Sequence, residues 1–432
     1  MIKMKNFIII VFTLSCSVSS AQKITLQQAI ALALKNNFEI SIEKNNTEIA
    51  KINNNIGMAG GLPLVSFNTS DQGSYIDINQ KLNTGTQIKR AGTFSNSLNS
   101  NVSGTVLLYN GYKIVSTKNR LGIQQTQSEQ NLLAQIQNTI ADVMMKYYRI
   151  VREQQYVITL EESINLTKKQ LELVQLKKSV GLADDAEIFQ SQIDLNSRML
   201  DLQSQQTVVK QSLADLMNIL ELKADSTLLV SDSIIINTGI ELPAVLNAIN
   251  SNPEISSLDN QIKINQLIED EVASLRKPSL RLNTGYNFGS TQSTAGQLLL
   301  NRSYGPFINI GLSVPIYSGG TVKRQQQTAA LNSQNAILKK ESALNNQQTV
   351  ATKTFQSYES SISQLNTQQN TLQLSKQLAN LSLQRFQLNS ATSVEVREAQ
   401  KSFEEAGFRL VNLQYVAKIA EIELLRLSNQ LH

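Results

Sequence analysis

Ile308-Asn309-Ile310-Gly311-Leu312-Ser313-Val314-Pro315-Ile316 places an apolar side chain at every second position. Successive side chains of a strand point to opposite faces, so this stretch has one apolar and one polar face. The pattern recurs. Leu280, Leu282, Thr284, Tyr286 and Phe288 alternate with Arg281, Asn283, Gly285 and Asn287. Leu98, Val102, Val106 and Leu108 alternate with Asn99, Asn101, Ser103 and Thr105. Two-sided segments of about ten residues are the pattern of a transmembrane β-barrel. A half-buried sheet packed on helices alternates in the same way, so the rest of the chain must decide. Pro315, inside the run, predicts a bulge or the rim of the barrel.

Around these strands lie long helical patterns. Val396, Ala399, Phe403, Ala406, Leu410, Leu413, Ala417, Ala420, Leu424, Leu427 and Leu431 advance by alternating threes and fours. Leu195, Met199, Leu202, Val209, Leu213, Leu216 and Leu220 keep the same register, with Gln206 as a polar member. Leu133, Ile136, Ile140, Val143, Tyr147, Ile150, Val157, Leu160, Ile164, Leu171 and Val174 form a third seam, its gaps filled by Gln154 and Thr167. Phe355, Tyr358, Ile362, Leu365, Leu372, Leu383 and Phe386 form a less regular fourth. A repeat of 3.5 residues predicts left-handed coiled coils. No proline falls between Pro63 and Pro243, so a helix near 112–178 can run unbroken. The remaining faces are Gln, Asn, Ser, Thr and Lys, which suits a wall wetted on both sides. A soluble filament would show the same seams.

The plan occurs twice. Tyr109-Asn110-Gly111-Tyr112-Lys113 returns 208 residues later as Tyr317-Ser318-Gly319-Gly320-Thr321, and Gly181 to Gln192 returns at the same offset as Asn389 to Gln400. Upstream, Ala33 to Ile40 matches Ala248 to Ile255 at an offset of 215. Units this long are a duplicated domain rather than a solenoid. The expected order is a leader over 1–21, a first repeat over 22–235 and a second over 236–432. The first holds an opening helix, a β-hairpin near 64–110, a long helix near 112–178 and a return helix near 184–222. The second holds a helix near 241–276, a hairpin near 279–317, a long helix near 320–387 and a return helix near 392–431.

The first residues read as a secretory signal: Lys3 and Lys5, an apolar run from Phe7 to Leu14, then Ser19-Ser20-Ala21 before Gln22. Its loss lowers the formal charge from +5 to +3, too little to suggest nucleic acid. Cys16 is the single cysteine, so the mature chain would have no disulfide and no thiolate metal site. Lipidation of Cys16 is the alternative, although Thr13 stands where such a signal prefers Leu. Beyond the leader no apolar run nears the ~20 residues of a membrane helix, so a mature chain that crosses a bilayer must do so as a barrel. The only histidine is His432, and no HExxH, GxSxG, P-loop or GxGxxG occurs. Glu161-Glu162 and Glu404-Glu405 are expected on exposed helix faces, where paired acids serve solvation. No catalytic residue, metal or cofactor is expected.

Four strands are too few to close around water, and open edges in lipid leave backbone groups unpaired, so the chain must oligomerise. Three copies would supply about twelve strands. The sequence resembles the TolC-type outer-membrane efflux protein family over nearly the whole mature chain. The resemblance is carried by Thr25-Leu26-Gln27-Gln28-Ala29-Ile30-Ala31-Leu32-Ala33-Leu34 with Asn37, by Tyr109-Asn110-Gly111, by Val314-Pro315-Ile316-Tyr317-Ser318-Gly319-Gly320, and by Val180-Gly181-Leu182. It implies an α+β membrane protein. A homotrimer would combine a twelve-stranded transmembrane β-barrel with a periplasmic α-helical coiled-coil barrel. It also implies outer-membrane lipid around the barrel, docking to a periplasmic membrane-fusion adaptor and, through it, an inner-membrane pump of RND, ABC or MFS type. The function implied is the exit duct of a tripartite efflux system for small molecules. Type I protein secretion, or a periplasmic coiled-coil protein that forms no channel, are the alternatives.

The same resemblance makes Val180, Gly181, Leu182, Leu388, Asn389 and Ser390 the adaptor-docking tips, with Asp184, Asp185, Arg385 and Thr392 as a possible gate. Helix capping alone explains the glycine and the aspartates. Asn389 departs from the family glycine, and Thr392 and Ser393 stand where acidic residues are usual. Gly111, Gly319 and Gly320 mark the strand-to-helix junctions, a structural role.

Overall fold

A computed structural model describes residues 22–223, 228–230 and 232–431. The expected leader, Cys16 and His432 lie outside them. The described residues divide into two compact units, one within the ranges 1–41, 135–249 and 348–432, the other within 42–134 and 250–347. The elements in order are β1 (Gln22–Lys23), α1 (Leu26–Asn36), α2 (Phe38–Asn53), β2 (Leu64–Lys81), β3 (Gln87–Tyr109), α3 (Lys113–Ser179) and α4 (Asp185–Ile219). Then follow β4 (Leu228–Leu229), α5 (Leu242–Ala248), α6 (Pro253–Ser274), β5 (Ser279–Ser293), β6 (Leu300–Ser313), α7 (Thr321–Gln387) and α8 (Ser393–Leu427).

The internal repeat is visible in these lengths. Helices α3 and α7 have 67 residues each and start 208 apart; α4 and α8 have 35 each at the same offset. Left-handed backbone repeats too, at 111 and 319, 112 and 320, 181 and 389, and 221 and 429. Each repeat also breaks its opening helix at an asparagine. The Asn37 side chain accepts the Ile40 amide proton at 3.1 Å, and Asn252 accepts that of Glu254 at 2.9 Å. The single helix expected near 241–276 is therefore two, α5 and α6, joined by a tight turn over Ile249–Ser251. Pro253 forces the break, because it lacks an amide proton and takes the first position of a helix well.

The first unit is built on the predicted seams. Val143, Tyr147 and Ile150 of α3, Leu216 of α4 and Ile422 of α8 are fully enclosed with Ala29 and Ala33 of α1. Tyr147 donates its hydroxyl to the Ile24 carbonyl at 3.2 Å and contacts Asp232, which ties the segment after β4 onto the bundle. Burial pushes the Tyr147 hydroxyl well above its ordinary range, with Asp232 adding to the effect. Thr167 donates to Gln400 at 3.1 Å, and Gln400 donates to Gln170 at 3.1 Å, all three buried. A satisfied polar layer inside an apolar seam fixes the register of α3 on α8.

The helices depart from expectation at two further points. The buried side of α7 is carried mainly by small residues, Ala329, Ser333, Ala336, Ala351, Ser361, Ala379 and Ser382, with Tyr358 and Phe386. The Leu and Ile pattern missed this, since small side chains give close helix contact without a hydrophobic signal. Glu404 is not simply solvated: it is half-buried and receives Arg198 and the Ser163 hydroxyl.

In the second unit the strands form one antiparallel sheet in the order β2-β3-β5-β6. Among the described residues the outer edges of β2 and β6 are unpaired. The ladder ends at Ser279 opposite Ser313, so Pro315 lies beyond the strand rather than within it. Pro278 and Pro315 flank that last pair, and neither has an amide proton to extend it.

Candidate functional site

The register sorts the sheet's side chains into two unlike faces. One face carries rows running across the strands: Val106, Leu282 and Ile310; Phe67, Val102, Tyr286 and Pro306; Thr69, Ser100, Phe288 and Tyr304. None of the described residues covers it, and Ile308, Ile310 and Leu312 are 73%, 63% and 68% exposed. Tyr304 and Leu312 are eight residues apart, about 26 Å of strand. That is the scale of the ~25 Å apolar band of an outer-membrane barrel. The opposite face is hydrogen-bonded, and where all four strands pair its one charge among the described residues is Arg281. Ser66 meets Ser103 at 3.4 Å, Asn68 donates to Asn101 at 3.3 Å, and Thr105 donates to Asn283 at 3.2 Å. One surface fits hydrocarbon and the other fits water.

Where strands become helices, two successive left-handed residues turn the chain: Gly111 and Tyr112 at φ 69° and 71°, Gly319 and Gly320 at φ 61° and 74°. A Cβ on Gly111 would sit 2.6 Å from the Lys277 Cβ and 2.8 Å from the Ser274 carbonyl oxygen. One on Gly319 would meet nothing within 4 Å. Gly111→Ala thus suffers both strain and a backbone clash, and Gly319→Ala strain alone, about 1–2 kcal/mol. Thermal unfolding of the purified variants is expected to place Gly111→Ala below Gly319→Ala by about 1–3 kcal/mol. Tyr112 tolerates its backbone because its ring packs edge-on to Tyr109 at 5.6 Å with Lys277 above it at 5.5 Å.

At the other ends of the long helices, the two hairpin tips come together. Val174 of α3, Phe386 of α7 and Val396 of α8 form a small core with Ala183, Ile188 and Ala391. Lys177 lies 3.5 Å over the Phe386 ring, where burial lowers its pKa and Glu187 opposes the shift. In the first tip Gly181 has φ 77°, and the Leu182 amide donates back to the Lys177 carbonyl at 2.8 Å. In the second Asn389 has φ 59°, and the Ser390 amide donates to the Arg385 carbonyl at 2.8 Å. The same helix-ending turn is thus made by Gly in one copy and Asn in the other. Asp184 and Thr392 then cap α4 and α8, accepting from Glu187 and Glu395 at 2.9 Å and 3.2 Å. Asp185 pairs with Lys178 of its own hairpin. Arg385 donates to the Ser390 carbonyl at 2.8 Å and faces Glu395 at 3.9 Å. Each charged gate candidate therefore has a partner within its own tip, an amide for Asp184 and an opposite charge for Asp185 and Arg385. The side chains of Val180, Leu182 and Leu388 are 64%, 61% and 76% exposed.

Among the described residues no helix is long and apolar enough to cross a membrane, and no group of three His, Cys, Asp or Glu side chains could hold a metal. The sequence reading missed the basic side chains Arg276, Lys277 and Lys323 at the sheet–helix junction. Their signal was the absence of any Asp or Glu between Glu271 and Glu341.

Residues 248–430 match the sequence pattern of the outer membrane efflux protein family. A Haemophilus influenzae protein of uncharacterised function is 26% identical over 220 residues, and the match spans about half of either chain, 48% of this one and 46% of the relative. The fold is similar to solved structures. The CusC transmembrane channel protein matches at TM-score 0.78 and 16% identity over 93% of this chain and 91% of that one. The CmeC outer membrane channel of Campylobacter jejuni matches at TM-score 0.76 and 18% identity over 94% and 85%. The outer membrane protein VceC of Vibrio cholerae matches at TM-score 0.75 and 15% identity over 93% and 95%.

Proposed function

We propose that this chain, whose second half carries the outer membrane efflux protein pattern, is one subunit of an outer-membrane exit duct for small molecules. The observation that carries the reading is the two-faced sheet with two open edges. Strands β2 and β5 run one way, β3 and β6 the other. Setting β6 of one copy beside β2 of the next keeps every neighbour antiparallel, so copies can close into a ring with no edge in lipid. Two copies give eight strands, whose interior is just filled by side chains; three give twelve and a bore that holds water. The apolar face then meets the acyl chains and the Asn, Ser and Thr face lines the passage.

The helices support several copies as well. Phe189, Ile193 and Leu200 of α4 and Leu374, Leu378 and Leu381 of α7 are exposed in the single chain. Packing against neighbouring subunits covers such residues, and a helical wall around a periplasmic tunnel supplies the neighbours. The tips would dock a periplasmic adaptor and, through it, an inner-membrane pump. The wall and the passage have no chemical step to perform, so the role is passive conduction. The purified protein in planar bilayers is expected to open steady, water-filled conductances, and a strain lacking it is expected to become more sensitive to toxic small molecules. A protein that stays soluble without detergent and carries no current would refute the reading.

A further inference from the structure

The end of the sheet nearest the helices carries a charge pattern that conduction does not require. Between Glu271 and Glu341 there is no acidic residue, while Arg276, Lys277, Arg281, Lys323 and Arg324 all fall at this end of the sheet. Glu271 itself is held by Arg120 at 2.6 Å. A cleft of about 300 Å³ lies between the turn after α6 and the start of α7, lined by Arg276, Lys323, Tyr317, Ile316 and the Gly320 backbone. Arg324 beside it is occupied by the Gly319 carbonyl at 2.9 Å, and Lys277 by the Tyr112 ring. Arg276 and Lys323 are exposed and have no acidic partner among the described residues. The uncovered apolar face ends at this cleft: Leu312, Val314 and Ile316 lead into it, and Ile316 is 96% exposed.

We propose that this cleft binds the headgroup phosphate of an anionic phospholipid, with the acyl chains laid along Ile316, Val314 and Leu312. The proposal rests on the membrane-spanning reading of the sheet and adds a lipid class to it. Two cations with no acid nearby select a net-negative headgroup over a zwitterionic one, since the ammonium of the latter gains nothing there. The adjoining apolar strip selects a lipid over free phosphate, which has nothing to place on it. Each such cation near an anionic lipid contributes about a fivefold factor.

The test uses the full-length processed protein in detergent micelles containing equal amounts of phosphatidylglycerol and phosphatidylethanolamine. Native mass spectrometry counts the lipid retained, and insertion into vesicles is measured separately. The protein is expected to prefer phosphatidylglycerol by about tenfold or more, and Arg276→Gln with Lys323→Gln to bring the preference close to unity. Removing two positive charges elsewhere, Lys169→Gln with Lys401→Gln, should leave it unchanged. Normal insertion with no preference, or a preference that survives the Arg276 and Lys323 changes, overturns the lipid site alone. Inorganic phosphate that displaces the lipid at low concentration makes the cleft a free-phosphate site and also overturns it. Failure of the unaltered protein to insert at all removes the membrane reading and this proposal together.

Discussion

Ile310→Arg is expected to abolish assembly in the membrane, whereas Asn309→Arg, one residue earlier in the same strand, is expected to be tolerated. Side chains 309 and 310 point to opposite faces of β6, opposite Asn283 and Leu282 respectively. On the apolar face Ile310 is 63% exposed, so its substitution causes little loss of packing within the chain. A large defect must then come from the surroundings. An arginine facing lipid costs about 2–4 kcal/mol at the middle of an outer-membrane barrel and less toward its rim, so at Ile310, one row inside Leu312, about 1–3 kcal/mol applies, and the proposed ring of three copies multiplies that threefold. The total rivals the whole stability of a typical domain. At position 309 the same guanidinium would join Asn, Ser and Thr side chains over water. It should change the passage rather than the fold, adding a ring of positive charge that favours anions. The measurements are the yield of heat-resistant oligomer in the membrane fraction and the reversal potential of the Asn309→Arg channel in a salt gradient. Equal tolerance of both substitutions would mean that the apolar face does not meet lipid.

The contrast also marks what the sequence made legible. Alternation is a property of neighbouring residues, so the two faces of β5 and β6 could be read from a single strand. The duplicated order was legible for the same reason, because Tyr109-Asn110-Gly111 and its counterpart announce both junctions. Three features needed coordinates. The α7 packing side is mostly Ala and Ser, whose burial depends on how closely a distant helix approaches, and hydrophobic periodicity cannot weigh that. The Glu404 pairing with Arg198 joins residues 206 positions apart, and nothing local in either helix signals it. The end of β6 was misplaced because alternation continues through Val314 and Ile316 after the partner strand has ended at Ser279. Amphipathic sequence can outlast the hydrogen-bonded ladder, and here the surplus supplies the apolar strip beside the basic cleft.

The second large effect is expected at the hairpin tips. Leu182→Asp combined with Leu388→Asp should reduce efflux to the level of a deletion strain while oligomer and conductance persist. Both side chains are mostly exposed, and the small core beneath them is made by Val174, Phe386 and Val396, which the substitutions leave intact. The folded subunit therefore loses little. An exposed leucine that becomes buried in an interface contributes about 1.5–3 kcal/mol, and replacing it by a carboxylate removes that gain and adds a desolvation penalty. Repeated over the copies of a symmetric assembly, this is enough to dissociate a docked partner. Gly181→Pro attacks the same tip through the backbone. Proline cannot take φ 77°, and it deletes the amide that donates to the Lys178 carbonyl at 3.0 Å. Asn389→Gly is the complementary control: glycine accepts the left-handed backbone more readily, so efflux should be unchanged and stability equal or slightly higher. Drug-sensitivity titration beside single-channel recording separates the two roles. Efflux that survives the paired aspartates removes the tips from docking, and a channel that falls apart makes them structural only. Loss of efflux with an intact channel leaves contact with a partner as the function that the exposed leucines serve.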